Sequence, residues 1–318
     1  MEITYREAIQ YAFFDEMQTN ENVVLFGEDI QKNLYGYSDG LVDKFGERRV
    51  INIPISEAAV LGVANGAAMC GMRPIVDLTL PNFMCVAMDQ IVNIMAKVHY
   101  MSNGKYKVPV TIFVSSMQGS GNAAQHSDRF HSLFSGIPGI KVITPATPQD
   151  MYSMMRGAIQ DDNPVICFAD RSLFWRKGEV DCTQIELPGK AKMIKTGKDL
   201  TVITISSCLQ MVVDSLPQVK QAGYDIEIID VRTVNPIDYG ILEESAKKTG
   251  KVLICDTANK RGSVACEIAV ELQQQVFPFL KMPIQIVAGE DIPMPFAKAM
   301  KQEVLVTTDK IIKYIKKF

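Results

Sequence analysis

Near-continuous apolar runs of strand length, each followed by a helical stretch, constrain this chain more than any other feature. VVLFGED (23–29), RPIVDLTL (73–80), VPVTIFVSS (108–116), GIKVITP (139–145) and PVICFAD (164–170) are rich in Val, Ile and Phe and lack polar alternation. Strands that are apolar on both faces must be covered on both faces, as in a parallel sheet layered between helices. Helices are expected between them at about 57–71, 86–102 and 148–161. Thr4 and Glu7 read as a capping box for a first helix. A polar stretch without helical period, RSLFWRKGEVDCTQIELPGKAKM (171–193), interrupts the pattern, and the domain boundary is placed there. The alternation then restarts, with strands at 199–207, 224–232, 251–257 and 283–289 and helices at about 208–222, 238–249 and 262–276. The expectation is an α/β chain with a parallel-sheet first domain and a smaller α/β second one.

Composition narrows the function classes. A hydrophobic fraction of 47% over 318 residues supplies two sizeable cores. A net charge of −3 leaves no basic footprint for nucleic acid. No apolar stretch reaches the length of a membrane span, and the first residues, MEITYREAIQ, lack the basic-then-apolar order of a secretion signal. The seven cysteines are odd in number and include no Cys-x-x-Cys pair, so buried free thiols in a reducing cytoplasm are expected, without structural zinc. Lys310, Lys313, Lys316 and Lys317 alternate with isoleucines and read as the solvated face of a last helix.

One carboxylate stands out. In INIPISEAAVLGVANGAAMCG a β-rich approach runs into Ser56 and Glu57, after which a helix of small residues opens. Ser56 suits an N-cap and Glu57 suits the positive end of the dipole, which is the ordinary explanation. The sharper one is a carboxyl at a strand end with few polar neighbours, where desolvation favours the protonated form and proton exchange with a ring nitrogen. Glu57, the Thr79–Phe83 segment and the Ser115–His126 loop all follow strands. In open parallel sheets ligands bind beyond those carboxyl ends.

At this point the chain resembles a family nearly end to end. The shared segments are KFGERRVINIPISEAAVLGVANGAAMCGMRPIVD, NFMCVAMDQIVNIMAK, AAQHSDRF, IPGIKVITPATPQD, AIQDDNPVI, FWRKGEV, IEIIDVRTVNPID and GEDIPMPFA. They are similar to the beta subunits of thiamin-diphosphate-dependent 2-oxoacid dehydrogenases. The resemblance implies a transketolase-like pyrimidine-binding domain over 1–180 and a transketolase C-terminal domain over 191–318. It implies that Glu57 is the relay acid/base on the cofactor's aminopyrimidine, and that Phe83 stacks on that ring with Leu80 as a further apolar wall. The ordinary reading of Phe83 is a core phenylalanine. His126, after a loop containing Gly119, Ser120 and Gly121, matches the family histidine that contacts substrate or intermediates. His131 fits helix packing or surface, and His99 a helix near a chain interface. Ile112, Ala158, Ile159, Asp161 and Asn163 match positions where family members hold a structural monovalent cation, K+. A helix C-terminal turn before Pro164 explains Asp161 and Asn163 equally well.

Two departures and one absence qualify the resemblance. Ser115 stands where the family loop carries an arginine, in a shortened loop, and Gly136 replaces a second histidine before Pro138-Gly139. The chain also has no Gly-Asp-Gly with a downstream Asn, the motif that ligates Mg2+ on a diphosphate. The implied partner is therefore an alpha subunit that supplies the Mg2+ half of a shared cofactor site, as two alpha plus two beta chains in the cytoplasm. The leading expectation is decarboxylation of a 2-oxo acid and acyl transfer to a lipoyl acyltransferase. The alternatives are a split transketolase-like or acyloin-forming enzyme with a non-lipoyl acceptor, and a non-catalytic paralogue.

Overall fold

In the computed structural model, which describes residues 1–117 and 123–318, Thr4 caps the first helix as its sequence requires. Its hydroxyl accepts from the Glu7 N–H at 3.2 Å, and the Glu7 carboxylate accepts from the Thr4 N–H at 2.7 Å. The chain divides into two units: Met1–Ser116 with Phe134–Pro188, and Met117–Leu133 with Gly189–Phe318.

The first unit contains β1 (Glu2–Thr4), α1 (Tyr5–Thr19), β2 (Val23–Gly27), α2 (Leu41–Phe45), β3 (Val50–Asn52), α3 (Glu57–Met69), β4 (Arg73–Asp77), α4 (Val98–Met101) and β5 (Thr111–Ser116). After α5 (His131–Ser135), which runs across the division, come β6 (Lys141–Ile143), α6 (Pro148–Gln160), β7 (Val165–Asp170) and β8 (Lys177–Glu179). Strands β6-β7-β5-β4-β2-β3 lie in that order, and every pair among them is parallel. β2, β5 and β7 are buried along their whole length, as their unbroken apolar sequences demand. Helices α1 and α6 cover the sheet and are joined by a largely buried pair, Arg156 Nε to Glu16 Oε1 at 2.7 Å.

Two segments differ from the sequence expectation. The helix expected at 86–102 is broken into a 3-10 stretch at Pro81–Ala87, a π-helical stretch at Gln90–Met95, and α4. The break sits where another backbone presses in. Gly139, at φ +96°, lies so close that a Cβ would stand 2.1 Å from the Ala96 carbonyl oxygen. Within the stretch expected to be irregular, β8 pairs antiparallel with β1, Ile3 opposite Gly178.

The second unit contains β9 (Lys192–Lys195), β10 (Leu200–Thr204), α7 (Cys208–Gln221), β11 (Ile226–Asp230), β12 (Thr233–Asn235), α8 (Tyr239–Thr249), β13 (Val252–Asn259), α9 (Val264–Val276), β14 (Gln285–Gly289), α10 (Lys298–Val304) and α11 (Thr308–Ile315). Its sheet runs β14-β13-β10-β11-β9, parallel except for the edge strand β9. In α11, Ile311, Ile312 and Ile315 are buried while Lys313 and Lys316 are exposed. Among the described residues no helix is long and apolar enough to cross a membrane.

Candidate active site

Register assembles the site. Gly27 of β2 lies opposite both Asn52 of β3 and Asp77 of β4, so three carboxyl ends stand level. Only a glycine permits this: a Cβ on Gly27 would meet Ile30 at 2.9 Å and the Asp77 side chain at 3.2 Å. From β2 the chain leaves toward β3, and from β4 it leaves on the other side toward β5. Such a reversal opens a crevice at the strand ends. The cleft there is lined by Glu28, Ile53–Glu57, Asp77–Thr79 and Phe83.

Glu57 is the first residue of α3 and is half-buried. Ser56 precedes it at φ −162°, ψ 73°, and makes no side-chain cap bond, contrary to its expected role. That ψ lies outside the extended region from which an N-cap oxygen reaches back to the helix N–H groups. Phe83 lines the same cleft, half-buried. Leu80 does not line it: 2% exposed, it faces the core, and its N–H turns back to the Leu78 carbonyl at 2.6 Å. Between them Thr79 is held at φ +63°, a left-handed conformation unusual for a β-branched residue and characteristic of functional turns.

Asp77 holds that turn and was missed in the sequence reading. Its Oδ1 accepts from the Thr79 N–H at 2.8 Å, and its Oδ2 accepts from the Tyr37 hydroxyl at 2.8 Å. Burial pushes the Asp77 carboxyl up to about 6, against the lowering effect of these two bonds and of the Arg171 charge. The legible signal was an acid inside an otherwise apolar strand. Arg171, just past β7, donates from Nε to Ser115 Oγ at 2.9 Å and stacks over Tyr35 at 4.0 Å. A guanidinium therefore reaches Ser115 from another strand end, and the Ser115 hydroxyl passes the contact on to the Thr79 carbonyl at 3.2 Å.

His126 closes a short 3-10 turn, Ala124–His126, in the segment that packs with the second unit. Gly119, Ser120 and Gly121 of its loop lie outside the described residues. His131 is not a surface residue. It is buried, with Nε2 2.8 Å from Oδ1 of the fully buried Asp256. Burial alone would raise the Asp256 carboxyl, but the His131 charge and hydrogen bonds from His131 and the Ala258 and Ala265 N–H groups hold it below its usual range. His99 is exposed, its Nδ1 2.8 Å from the Tyr106 carbonyl oxygen. Gly136 is exposed, with nothing among the described residues within 4 Å of a Cβ built there.

Three of the backbone oxygens expected to hold a monovalent cation, those of Ala158, Ile159 and Asp161, meet side-chain donors. Arg73 Nη1 donates to the carbonyls of Ile159 and Asp161, each at 3.0 Å, and Thr111 Oγ1 donates to Ala158 O at 3.2 Å. Asp161 Oδ1 accepts from Asn163 Nδ2 at 3.0 Å, and Ile112 is buried in mid-sheet between Val76 and Ile166. Among the described residues no cluster of His, Cys, Asp and Glu has the makings of a metal site. A larger cavity, about 550 Å³, lies in the second unit beside Leu216, Pro217 and Tyr224; its lining is mainly apolar, and its acid, Asp225, is already paired with Lys195 at 2.7 Å.

Comparison with known proteins agrees with this layout. The transketolase pyrimidine binding domain matches residues 1–175, and the transketolase C-terminal domain matches residues 189–311. The chain is 37% identical to the pyruvate dehydrogenase E1 component subunit beta of Rhizobium meliloti, over 99% of this chain and 69% of that protein. It is 35% identical to the 2-oxoisovalerate dehydrogenase subunit beta of Bacillus subtilis, over 97% and 96%. A solved structure, a split-gene transketolase described as an inactive beta4 tetramer, superposes with a TM-score of 0.82 at 23% identity, covering 99% of this chain and 97% of that one. That likeness concerns the fold alone.

Proposed function

Because the chain belongs to the family of E1 beta subunits that includes those of pyruvate and 2-oxoisovalerate dehydrogenases, we propose that it is the beta subunit of a thiamin-diphosphate-dependent 2-oxoacid dehydrogenase. One observation carries the reading: Glu57 and Phe83 share a cleft at the level carboxyl ends of β2, β3 and β4. An acid and an aromatic face beside Ile53, Ile55 and Leu78 suit a flat, weakly basic ring such as the aminopyrimidine. Among the described residues no Lys or Arg lines the cleft, and the sequence has no Gly-Asp-Gly, so the diphosphate and Mg2+ are assigned to an alpha subunit. The assembly would hold two alpha and two beta chains. It would work in the reducing cytoplasm, in keeping with seven free cysteines.

Thiamin diphosphate bound beside Glu57 and Phe83 would supply a nucleophilic thiazolium carbon and an electron sink for decarboxylation of a 2-oxo acid. Glu57 holds and exchanges a proton at a pyrimidine ring nitrogen. Phe83 presents its face to that ring, and Ile53, Ile55 and Leu78 shed water from its edge. Asp77 keeps Thr79 in its turn and so fixes the approach to Phe83. His126 moves a proton at the oxygen of the substrate or of the acyl group being passed to a lipoyl acyltransferase.

The test is reconstitution. Calorimetric titration of thiamin diphosphate and Mg2+ into the purified chain should give weak binding or none, and tight binding once an alpha subunit is added. Turnover of a panel of 2-oxo acids, with and without a lipoyl domain, then separates lipoyl from other acceptors. Tight, Mg2+-dependent binding by the isolated chain would overturn the shared-site proposal.

A further inference from the structure

The chain from His126 into α5 is built into the second unit along one face. Ser127, Arg129 and His131 are buried while Asp128 and Phe130 between them are only partly so, the period-two pattern of an extended segment with one side packed. The pyrimidine binding domain matches residues 1–175, yet Met117–Leu133 belong with the second unit. Three holds fix that face. His131 Nε2 meets Asp256 Oδ1 of β13 at 2.8 Å, and the Val264 N–H at the start of α9 donates to Ser132 Oγ at 3.1 Å. Arg129 lies along Gly289 at the end of β14, where a Cβ would stand 3.2 Å from its Nη1. The His131 pair is the deepest of the three. Asp256 is fully buried, its Oδ1 also accepts from the Ala258 N–H at 2.9 Å, and β13 is an interior strand between β10 and β14.

We propose that His131, held by Asp256, is a positioning residue for His126, pinning the segment that carries it to strand β13. The proposal rests on the reading of His126 as the group that moves a proton at the substrate or acyl oxygen. His131 follows His126 by five residues, and the buried Ser127 and Arg129 between them leave the connection little slack. A hydrogen bond to a carboxylate is short and directional, and an interior strand is a rigid place to fasten it. The second unit, which brings neither Glu57 nor Phe83, thereby acquires a task in the reaction. An apolar side chain in place of His131 would fill the space but leave the Asp256 carboxylate without that donor and the His126 segment without its pin. Such a change should act on the steps that use His126 and spare proton exchange at Glu57.

The experiment has two arms. In the isolated full chain, amide hydrogen exchange is followed by mass spectrometry for peptides covering residues 123–135, with a peptide spanning β2 as control. His131→Leu should speed exchange at 123–135 by about tenfold or more, the scale of one lost buried hydrogen bond, and leave β2 unchanged. His131→Gln, whose amide can donate from near the Nε2 position, should restore most of the protection. In the reconstituted alpha–beta assembly, His131→Leu should slow turnover by about 10- to 100-fold, as for a displaced reacting group, while hydrogen–deuterium exchange at the thiazolium carbon keeps its wild-type rate. In a His126→Ala background the same substitution should cost nothing further, because the group it positions is gone. Should His131→Leu not fold, Asp256→Asn replaces it in both arms, since it keeps the shape and reduces the bridge to a neutral contact. Unchanged amide exchange at 123–135, or an equal turnover loss with and without His126, would overturn the proposal. Intact turnover in His126→Ala would instead remove the catalytic reading of His126, and the positioning role with it; unchanged amide exchange alone marks failure of the pin.

Discussion

Replacing Asp77 with asparagine tests whether the carboxylate that holds the site turn sits there at an electrostatic cost. The group is fully buried at the end of β4, and burial raises its pKa from 3.8 to about 6 even with the Tyr37 hydroxyl and the Thr79 N–H bonded to it. A folded-state pKa above the unfolded one means that the folded protein keeps a proton the unfolded chain has released. Stability from this group is therefore complete below about pH 4 and falls as the pH rises through about 6, a loss of about 3 kcal/mol for this shift. The amide introduced by Asp77→Asn keeps an acceptor for the Thr79 N–H but never ionises. It also leaves the Tyr37 hydroxyl opposite an amide, a fixed penalty of about 1 kcal/mol at every pH. The pH dependence, rather than stability at one pH, isolates the buried charge. Trp175 is the chain's single tryptophan and belongs to the first unit, so its fluorescence follows unfolding of the right unit in urea. Between about pH 4 and pH 7 the wild type should lose about 3 kcal/mol relative to Asp77→Asn, with the two curves running parallel at the acid end. A wild-type-minus-variant difference constant to within about 0.5 kcal/mol over that range would refute the reasoning, because it would place Asp77 in a solvated or ion-paired setting.

Two further outcomes test the proposed chemistry. Glu57→Gln should keep the fold, because the residue is half-buried and opens α3 without a side-chain cap bond from its neighbour Ser56 to disturb. Reconstituted turnover should nevertheless fall about 10²–10⁴-fold, as for loss of a positioned acid/base; turnover within a few-fold of wild type would reduce Glu57 to a helix-start residue. Gly136→His should cost less than about 0.5 kcal/mol in urea unfolding, since the position is exposed and open, while changing the relative rates on a panel of 2-oxo acids and acceptors; an unchanged profile would mark the glycine as neutral to specificity.

The element order was legible because each apolar run had a single way to be buried. PVICFAD and VPVTIFVSS could only be interior strands, and β7 and β5 lie within them, buried throughout. Boundaries shifted inward at several ends, where residues such as Leu78 and Thr79 leave the ladder to form the site turn. The segment expected as one helix at 86–102 is helical but changes from 3-10 to π to α geometry, which periodicity does not register, and Gly139 of another segment lies against Ala96 between the π and α stretches.

Within the site, residue type and local context pointed to Glu57 and the family resemblance to Phe83, and the structure places both in one cleft. Leu80, an apolar side chain from the same segment as Phe83, is turned into the core by the tight turn at Leu78–Leu80. The pairings Tyr37–Asp77, Ser115–Arg171, His131–Asp256 and Arg73 with the turn at 159–162 join residues 40, 56, 125 and up to 89 positions apart. What the sequence by itself determined is which segments must be interior strands and helices and which residue types could do proton chemistry at their ends, because burial and capping act over a few residues. Only the tertiary structure decided which charges neutralise each other and which acid stays buried. Electrostatic interaction depends on distance in space and on the solvent excluded between groups, and neither follows from separation along the chain.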